Sequence, residues 1–173
     1  MPSLENITGV QLGRFCPYHL GHAKVTDAII DRHGAENTTV IVGTANRITE
    51  RTPFSFEVRK KIIETLYPDI EILPLNDYKP APGQHWEATI PSWFQRIKKV
   101  LAHKEGEYRF YGGSPRDLEI LSREFDTEVI VDRVREGNQI TATKIREAMA
   151  RGELDLLAEL VDERIIPILM TTT

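Results

Sequence analysis

The stretch Ile7-Thr-Gly-Val-Gln-Leu-Gly-Arg-Phe-Cys-Pro-Tyr-His-Leu-Gly-His22 changes character halfway along. Ile7 to Gly13 reads as a strand that stops at a glycine. Leu20, Ala23, Val25, Ala28, Ile29 and Ile30 then fall near helical spacing, so His19 to His33 reads as an amphipathic helix. Gly13 lets the chain turn between the two with no side chain in the way. A strand feeding a helix through a tight turn is the first half of a βαβ unit.

The rest of the chain repeats that alternation. Thr38 to Gly43 is a nearly continuous apolar run, as a buried parallel strand should be. Phe54 to Leu66 reads as a helix, with Val58, Ile62, Ile63 and Leu66 at helical spacing. Ile70 to Leu75 is a third strand, with Pro74 near its end. Residues 76 to 91 hold Pro80, Pro82, Gly83 and Pro91 and read as a loop. Trp93 to Ala102 is helical, and Tyr108 to Tyr111 is a fourth strand closed by Gly112 and Gly113. Pro115 suits the first turn of a helix reaching Glu124. Glu128 to Val131 is a fifth strand, and two or three helices follow from Thr141. The pattern predicts an α/β fold: an open five-stranded parallel sheet with helices on both faces and C-terminal helices. No repeat or linker divides the chain, so residues 1–173 are expected to form a single domain. In such sheets ligands bind beyond the carboxyl ends of the strands, where the strand order reverses.

Composition narrows the function classes. Of 173 residues, 40% are hydrophobic and 28% charged, which is globular rather than disordered usage. The formal net charge of -4 supplies no overall field for nucleic acid or anionic lipid, so anionic ligands need a local basic patch. Cys16 is the only cysteine, which excludes an intrachain disulfide and suits a reducing compartment. The first residues lack a signal-peptide pattern, and no apolar run approaches the roughly 20 residues of a membrane span. A cytoplasmic protein with neither nucleic-acid nor membrane partners is expected.

Two segments carry candidate chemistry. In Gly13-Arg-Phe-Cys-Pro-Tyr-His-Leu-Gly-His22, His19 and His22 are three apart and share a face at a helix start. Two imidazoles, Arg14 and the N–H groups of a helix end make a phosphate site, and Gly21 lets a bulky ligand approach the backbone. No Gly-Lys-Ser/Thr follows, so this is not a Walker A loop. Alone, the pair reads as surface histidines on a capped helix. Metal ligation lacks a third Cys, His or carboxylate at matching spacing. The second segment is Ile140-Thr-Ala-Thr-Lys-Ile-Arg146, after an expected turn at Gly137 and Asn138. Thr141 is a good N-cap, and Thr143, Lys144 and Arg146 lie where first-turn donors could hold phosphate. Alone, this too reads as a capped amphipathic helix.

Together the segments are more specific. Gly13 to His22 resembles the GRFxPxHxGH signature of archaeal-type nicotinamide-mononucleotide adenylyltransferases, within the wider (T/H)xGH nucleotidyltransferase group. Ile140 to Arg146 resembles the ISxTxxR motif of the same family. The resemblance runs from residue 7 to about 165 and is sharpest at these two motifs. It implies a Rossmann-like sheet, ATP as donor, and Mg²⁺ carried by ATP. It implies His19, His22 and Arg146 as catalytic residues. The implied ATP contacts are Gly13, Arg14, Phe15, Gly21, Gly113, Thr141, Thr143 and Lys144. Gly112-Gly-Ser-Pro-Arg-Asp117 occupies the family's adenine-contacting turn loosely, with Ser114 where Asn is usual. Cys16 stands where the family does not use cysteine, and reads as a small packing residue.

Gly43 to Arg59 resembles the family loop ending in PFxxxxR, which implies acceptor contacts from Arg47, Arg51 and Arg59. Pro74-Leu-Asn-Asp77 resembles the entry to the acceptor pocket, followed in the family by a stacking tryptophan. Here the loop is longer and offers both Trp86 and Trp93, each of which reads equally as core. Lys79, His85 and Arg96 are near enough in sequence to pair with an acceptor carboxylate. The function implied is adenylyl transfer to a mononucleotide phosphate, nicotinamide mononucleotide first, with release of pyrophosphate. The alternatives are the same chemistry on phosphopantetheine, FMN, glycerol phosphate or a sugar phosphate, or a nucleotide-binding regulator without turnover. The resemblance also implies a homo-oligomer.

Overall fold

The computed structural model describes residues 7–132 and 140–172. Five strands form one parallel sheet: β1 (Ile7–Gly13), β2 (Thr38–Val42), β3 (Glu71–Pro74), β4 (Glu107–Gly112) and β5 (Thr127–Val129). Their order is β3-β2-β1-β4-β5. The chain builds outward from β1 to β3, then returns to the other side of β1 for β4. The order reverses between β1 and β4, which makes their carboxyl ends the switch point.

Strand alternation divides the core into two layers. Val40, Val42 and Ile72 point to one face, where they meet Ile62 and Ile63 of α2 (Phe56–Leu66). Ile145, Leu157 and Leu169 of α5 (Ala142–Arg151), α6 (Leu154–Leu160) and α7 (Ile166–Thr171) join that cluster. Val10, Ile41 and Phe110 point to the other face, against Ile97 of α3 (Ile90–Val100) and Leu118 of α4 (Pro115–Leu118). Tyr111, next to Phe110 and so on the opposite face, packs on Val25 and Ile29 of α1 (Leu20–His33). The Rossmann-like expectation of a five-stranded parallel sheet covered on both faces holds.

Several boundaries differ from expectation, among them β5, expected at Glu128 to Val131 and found at Thr127–Val129. The loop read as 76–91 ends earlier, because Trp86–Thr89 forms a 3₁₀ turn that runs into α3 at Ile90. Pro91 sits in the first turn of α3, where its missing N–H has no intrahelical partner to lose. The helix expected from Pro115 to Glu124 is instead the short α4 and a separate 3₁₀ turn, Leu121–Arg123. A spacing of three keeps Leu118 and Leu121 on the same buried side. Three C-terminal helices follow Thr141. The turn expected at Gly137 and Asn138 lies outside the described residues. Among the described residues no helix is long and apolar enough to cross a membrane.

Candidate functional site

The site starts where β1 ends. A side chain at Gly13 would put its Cβ 3.0 Å from the Phe15 ring, so any larger residue would push on that ring. Phe15 itself takes the left-handed conformation, φ 51°, and is buried. Its ring meets the His22 imidazole edge-on at 4.8 Å. His19 is the N-cap of α1, and its Nδ1 accepts the Gly21 N–H at 3.0 Å. The His19 N–H in turn donates to His22 Nδ1 at 3.1 Å, which completes a reciprocal capping box made from two imidazoles. The rings stack with centroids 3.7 Å apart. Both Nδ1 atoms are acceptors, so each neutral ring carries its proton on Nε2. The cap therefore fixes the tautomer, with Nε2–H as each ring's donor; His22 stands partly exposed, whereas His19 is buried. Gln11 Nε2 and Thr26 Oγ1 both donate to the His22 carbonyl, at 3.2 and 3.1 Å, which anchors this turn to β1.

Helix α5 arrives from far along the chain. Thr141 caps it, accepting the Lys144 N–H at 3.3 Å. Thr143 and Lys144 are exposed on its first turn. Arg146 Nη1 donates to the Cys16 carbonyl at 3.0 Å, across 130 residues of sequence. Both motifs therefore lie at the same carboxyl edge. The Cys16 thiol is buried, and burial pushes its pKa up against the opposing influence of the Phe54 backbone and of Arg59, Arg146 and Arg14. A buried thiol with a raised pKa is a poor nucleophile.

Three adjoining cavities open here. One, of about 340 Å³, is lined by Gly13, Arg14, Thr44, Asp77, both Trp86 and Trp93, and Asp117 among others. A second, of about 230 Å³, is lined by Gly13, Phe15, His22, Gly112, Gly113 and Asp117 among others. Gly13 and Asp117 are common to both. A third, of about 250 Å³, gathers Arg14, Arg47 and Arg51 with Thr44, Thr49 and Thr52. Arg14 and Thr44 connect it to the first.

The residues expected at the acceptor separate into groups. Trp93 is half-buried and packed on the core beside Phe94, whereas Trp86 is 50% exposed. Arg51 is exposed at the third cavity. Arg47 is held by Asp77, Nη2 to Oδ2 at 2.9 Å, while its Nε is buried without a hydrogen-bond partner. Arg59 does not line any of these cavities; it is fully buried, and its guanidinium bonds only backbone carbonyls. Motif spacing groups it with Arg47 and Arg51 because spacing carries no information on side-chain direction. Lys79, His85 and Arg96 do not line the first cavity. His85 Nδ1 accepts the Glu87 N–H, and Arg96 stacks over the Tyr78 ring at 4.7 Å. Two residues the motifs left unassigned do line it, Asp77 and Asp117. Their signal is positional: Asp77 lies in the loop after β3, and Asp117 in the first turn of the helix after β4.

The family model for cytidylyltransferase-like proteins matches residues 10–148. No curated protein matches the sequence significantly. Among solved structures, the chain is similar to a bifunctional NMN adenylyltransferase/ADP ribose pyrophosphatase from Francisella tularensis, complexed with AMP and a Mn ion. The TM-score is 0.61 at 22% identity, over 85% of this chain and 42% of that one. A NadR protein in complex with NAD and AMP-PNP is similar with a TM-score of 0.59 at 20% identity, over 82% and 42%. The chain thus spans 42% of the length of each of these two proteins. Plasmodium falciparum nicotinic acid mononucleotide adenylyltransferase, complexed with NaAD, aligns over 96% of this chain and 95% of its own, with a TM-score of 0.64 at 13% identity. The match to the family model covers most of the chain, including the end of β1, its glycine turn and the α5 motif: the chain belongs to the cytidylyltransferase-like family.

Proposed function

We propose that the protein transfers the adenylyl group of ATP to the phosphate of nicotinamide mononucleotide, giving NAD and pyrophosphate, as an archaeal-type enzyme of its group. The observation that carries this reading is the junction of two cavities at Gly13. His22 and the Gly112-Gly113 turn line one, and two indoles line the other. A donor triphosphate on the histidine side places its α-phosphorus beside an acceptor on the tryptophan side.

In this reading the acceptor phosphate oxygen attacks the α-phosphorus in line. The bond from that phosphorus to the bridging oxygen breaks, and pyrophosphate leaves with the electron pair. The protein's part is orientation and charge stabilisation. His19 and His22 donate Nε2–H to oxygens of the α- and β-phosphates. Arg146, Thr141 and Thr143 hold the β- and γ-phosphates, with Lys144 and Arg14 adding charge. Gly13, Phe15 and Gly21 shape the turn against the triphosphate, and Gly113 the adenine end. The donor set suits Mg²⁺ brought in by ATP: among the described residues a single carboxylate, Asp117, lines the histidine-side cavity and could hold one coordination position through water. When bound, the ion neutralises phosphate charge.

The amide form of the acceptor is favoured over the acid by charge. Among the described residues, the ionisable side chains lining the tryptophan-side cavity are Arg14, Asp77 and Asp117. A pyridinium ring is attracted to an indole face and to carboxylates. Trp93 is the better platform, because its packing holds the ring still. A nicotinate carboxylate would face Asp117 with, among the described residues, no lysine, histidine or second arginine lining the same cavity. Arg47 and Arg51 are left for the acceptor phosphate. Pyrophosphate release tests the reading, with ATP and each of nicotinamide mononucleotide, nicotinate mononucleotide, phosphopantetheine, FMN, glycerol phosphate and a sugar phosphate. Turnover is expected with nicotinamide mononucleotide. Turnover confined to a non-pyridine acceptor overturns the acceptor, and none with any overturns the reaction.

A further inference from the structure

Arg59 of α2 is the largest of the fully buried side chains, and its four recorded hydrogen bonds all end on backbone carbonyls. Nε donates to Ser55 at 3.3 Å, within its own helix turn. Nη1 donates to Arg14 at 2.9 Å and to Gly43 at 2.7 Å, and Nη2 donates to Thr44 at 2.9 Å. Arg14 belongs to the loop after β1, and Gly43 and Thr44 to the loop after β2. A guanidinium is planar, with five donors in fixed directions. One side chain therefore sets the separation and relative orientation of two loops.

Both loops take an unfavourable turn at the point of contact. Phe15, directly after the Arg14 carbonyl, has φ 51°, and Thr44 has φ 49°. Side-chain-bearing residues hold such conformations only when the surrounding structure over-determines them. Each strained residue also borders a cavity. Phe15 packs edge-on against His22 and lines the histidine-side cavity, and Thr44 lines the tryptophan-side cavity. Stability alone gives a poor account of the arginine. Burying a cation without a carboxylate partner carries a desolvation cost that an apolar side chain of similar length would not incur. The guanidinium is explained by the geometry it imposes.

We propose that Arg59 is a positioning residue of the transfer reaction. It touches neither substrate, and it holds the donor-side and acceptor-side loops at one separation so that attacking oxygen and α-phosphorus meet in line. The proposal rests on the adenylyl-transfer reading above.

The test compares Arg59→Met and Arg59→Lys with Ile63→Val, a fully buried position on the same helix. Melting temperature, kcat and both KM values are measured for each. A misplacement of about 1 Å costs roughly 10²-fold in rate, so Arg59→Met should lose about that in kcat, with KM values changing much less. Arg59→Lys keeps the charge but not the planar fork and should also lose kcat. Ile63→Val should keep wild-type kcat even where it melts lower. Hydrogen exchange supplies a readout independent of turnover. The Gly43 and Ala45 amides, bonded to the Gly13 and Leu75 carbonyls, should exchange faster in both Arg59 variants, while amides in the middle of β2 stay protected. A folded Arg59→Met with near-wild-type kcat overturns the proposal. So does unchanged exchange at Gly43 and Ala45, or failure of both variants to fold, which would make Arg59 a stability residue only. If the wild type turns over no acceptor, the adenylyl-transfer reading fails, and the exchange data alone show whether the clamp exists.

Discussion

Replacing His22 separates two jobs that one ring performs. Its Nδ1 accepts the His19 N–H at 3.1 Å as half of the capping box, and its Nε2–H is assigned to phosphate. His22→Ala removes both. Losing a cap costs about 1 kcal/mol, and for a chain of this size each kcal/mol moves the melting temperature by about 2–4 °C. The mutant should therefore fold and melt a few degrees lower. Losing one preorganised donor to developing charge costs about 3 kcal/mol, or roughly 10²-fold in kcat. His22→Gln isolates the two, because glutamine at the third helical position is a natural partner in a capping box. Its melting temperature should return toward wild type while its kcat stays about 10²-fold down. The assays are calorimetric melting and initial rates of pyrophosphate release, well below the transition. Near-wild-type kcat in either variant would refute the phosphate role. Recovery of kcat together with the melting temperature in His22→Gln would show that only the cap mattered.

Three further outcomes are expected. Arg146→Met should lower kcat roughly 10²-fold and also the melting temperature, since it deletes a charge-assisted bond to the Cys16 carbonyl worth about 1.5–3 kcal/mol. Equal rates in a purified, folded mutant would remove Arg146 from the triphosphate site. Asp117→Asn should narrow the preference for the amide over the acid acceptor about fivefold, the worth of one screened charge near 1 kcal/mol, read as a ratio of kcat/KM values. An unchanged ratio would mean that Asp117 does not face the acceptor ring. At the sheet edge, burial pushes the Glu71 carboxyl up, but hydrogen bonds and charge from Lys104 and His103 outweigh it and hold the pKa below the ordinary 4.5. A folded-state value below the unfolded one gives stability that is present above about pH 4.5 and lost as pH falls through the folded value. Melting temperature plotted against pH should fall less steeply on the acid side in Glu71→Gln, and identical slopes would exclude this pair as a source of acid sensitivity.

The alternation of strands and helices was legible in the chain because parallel strands buried on both faces need continuous apolar runs, as in Thr38 to Val42. The two phosphate motifs were legible for a similar reason. A glycine turn, a capping residue and donors in a first helical turn are local requirements, and Gly13, His19 and Thr141 state them within a few positions. Residue spacing could not say where side chains point across the sheet. The direction of Arg59 depends on where the loops after β1 and β2 stand relative to α2, so a residue grouped with two cavity-lining arginines lies buried between backbone carbonyls. Asp77 and Asp117 are ordinary loop and helix-start acids in the sequence. They become walls of one cavity only because β3 and β4 lie on opposite sides of β1 and end at the same edge. The capping role of His22 was hidden too, since the helix period places His19 and His22 on one face without saying which nitrogen meets which N–H. Local chemistry was written in the order of the residues, whereas long-range direction was decided by the packing of the sheet.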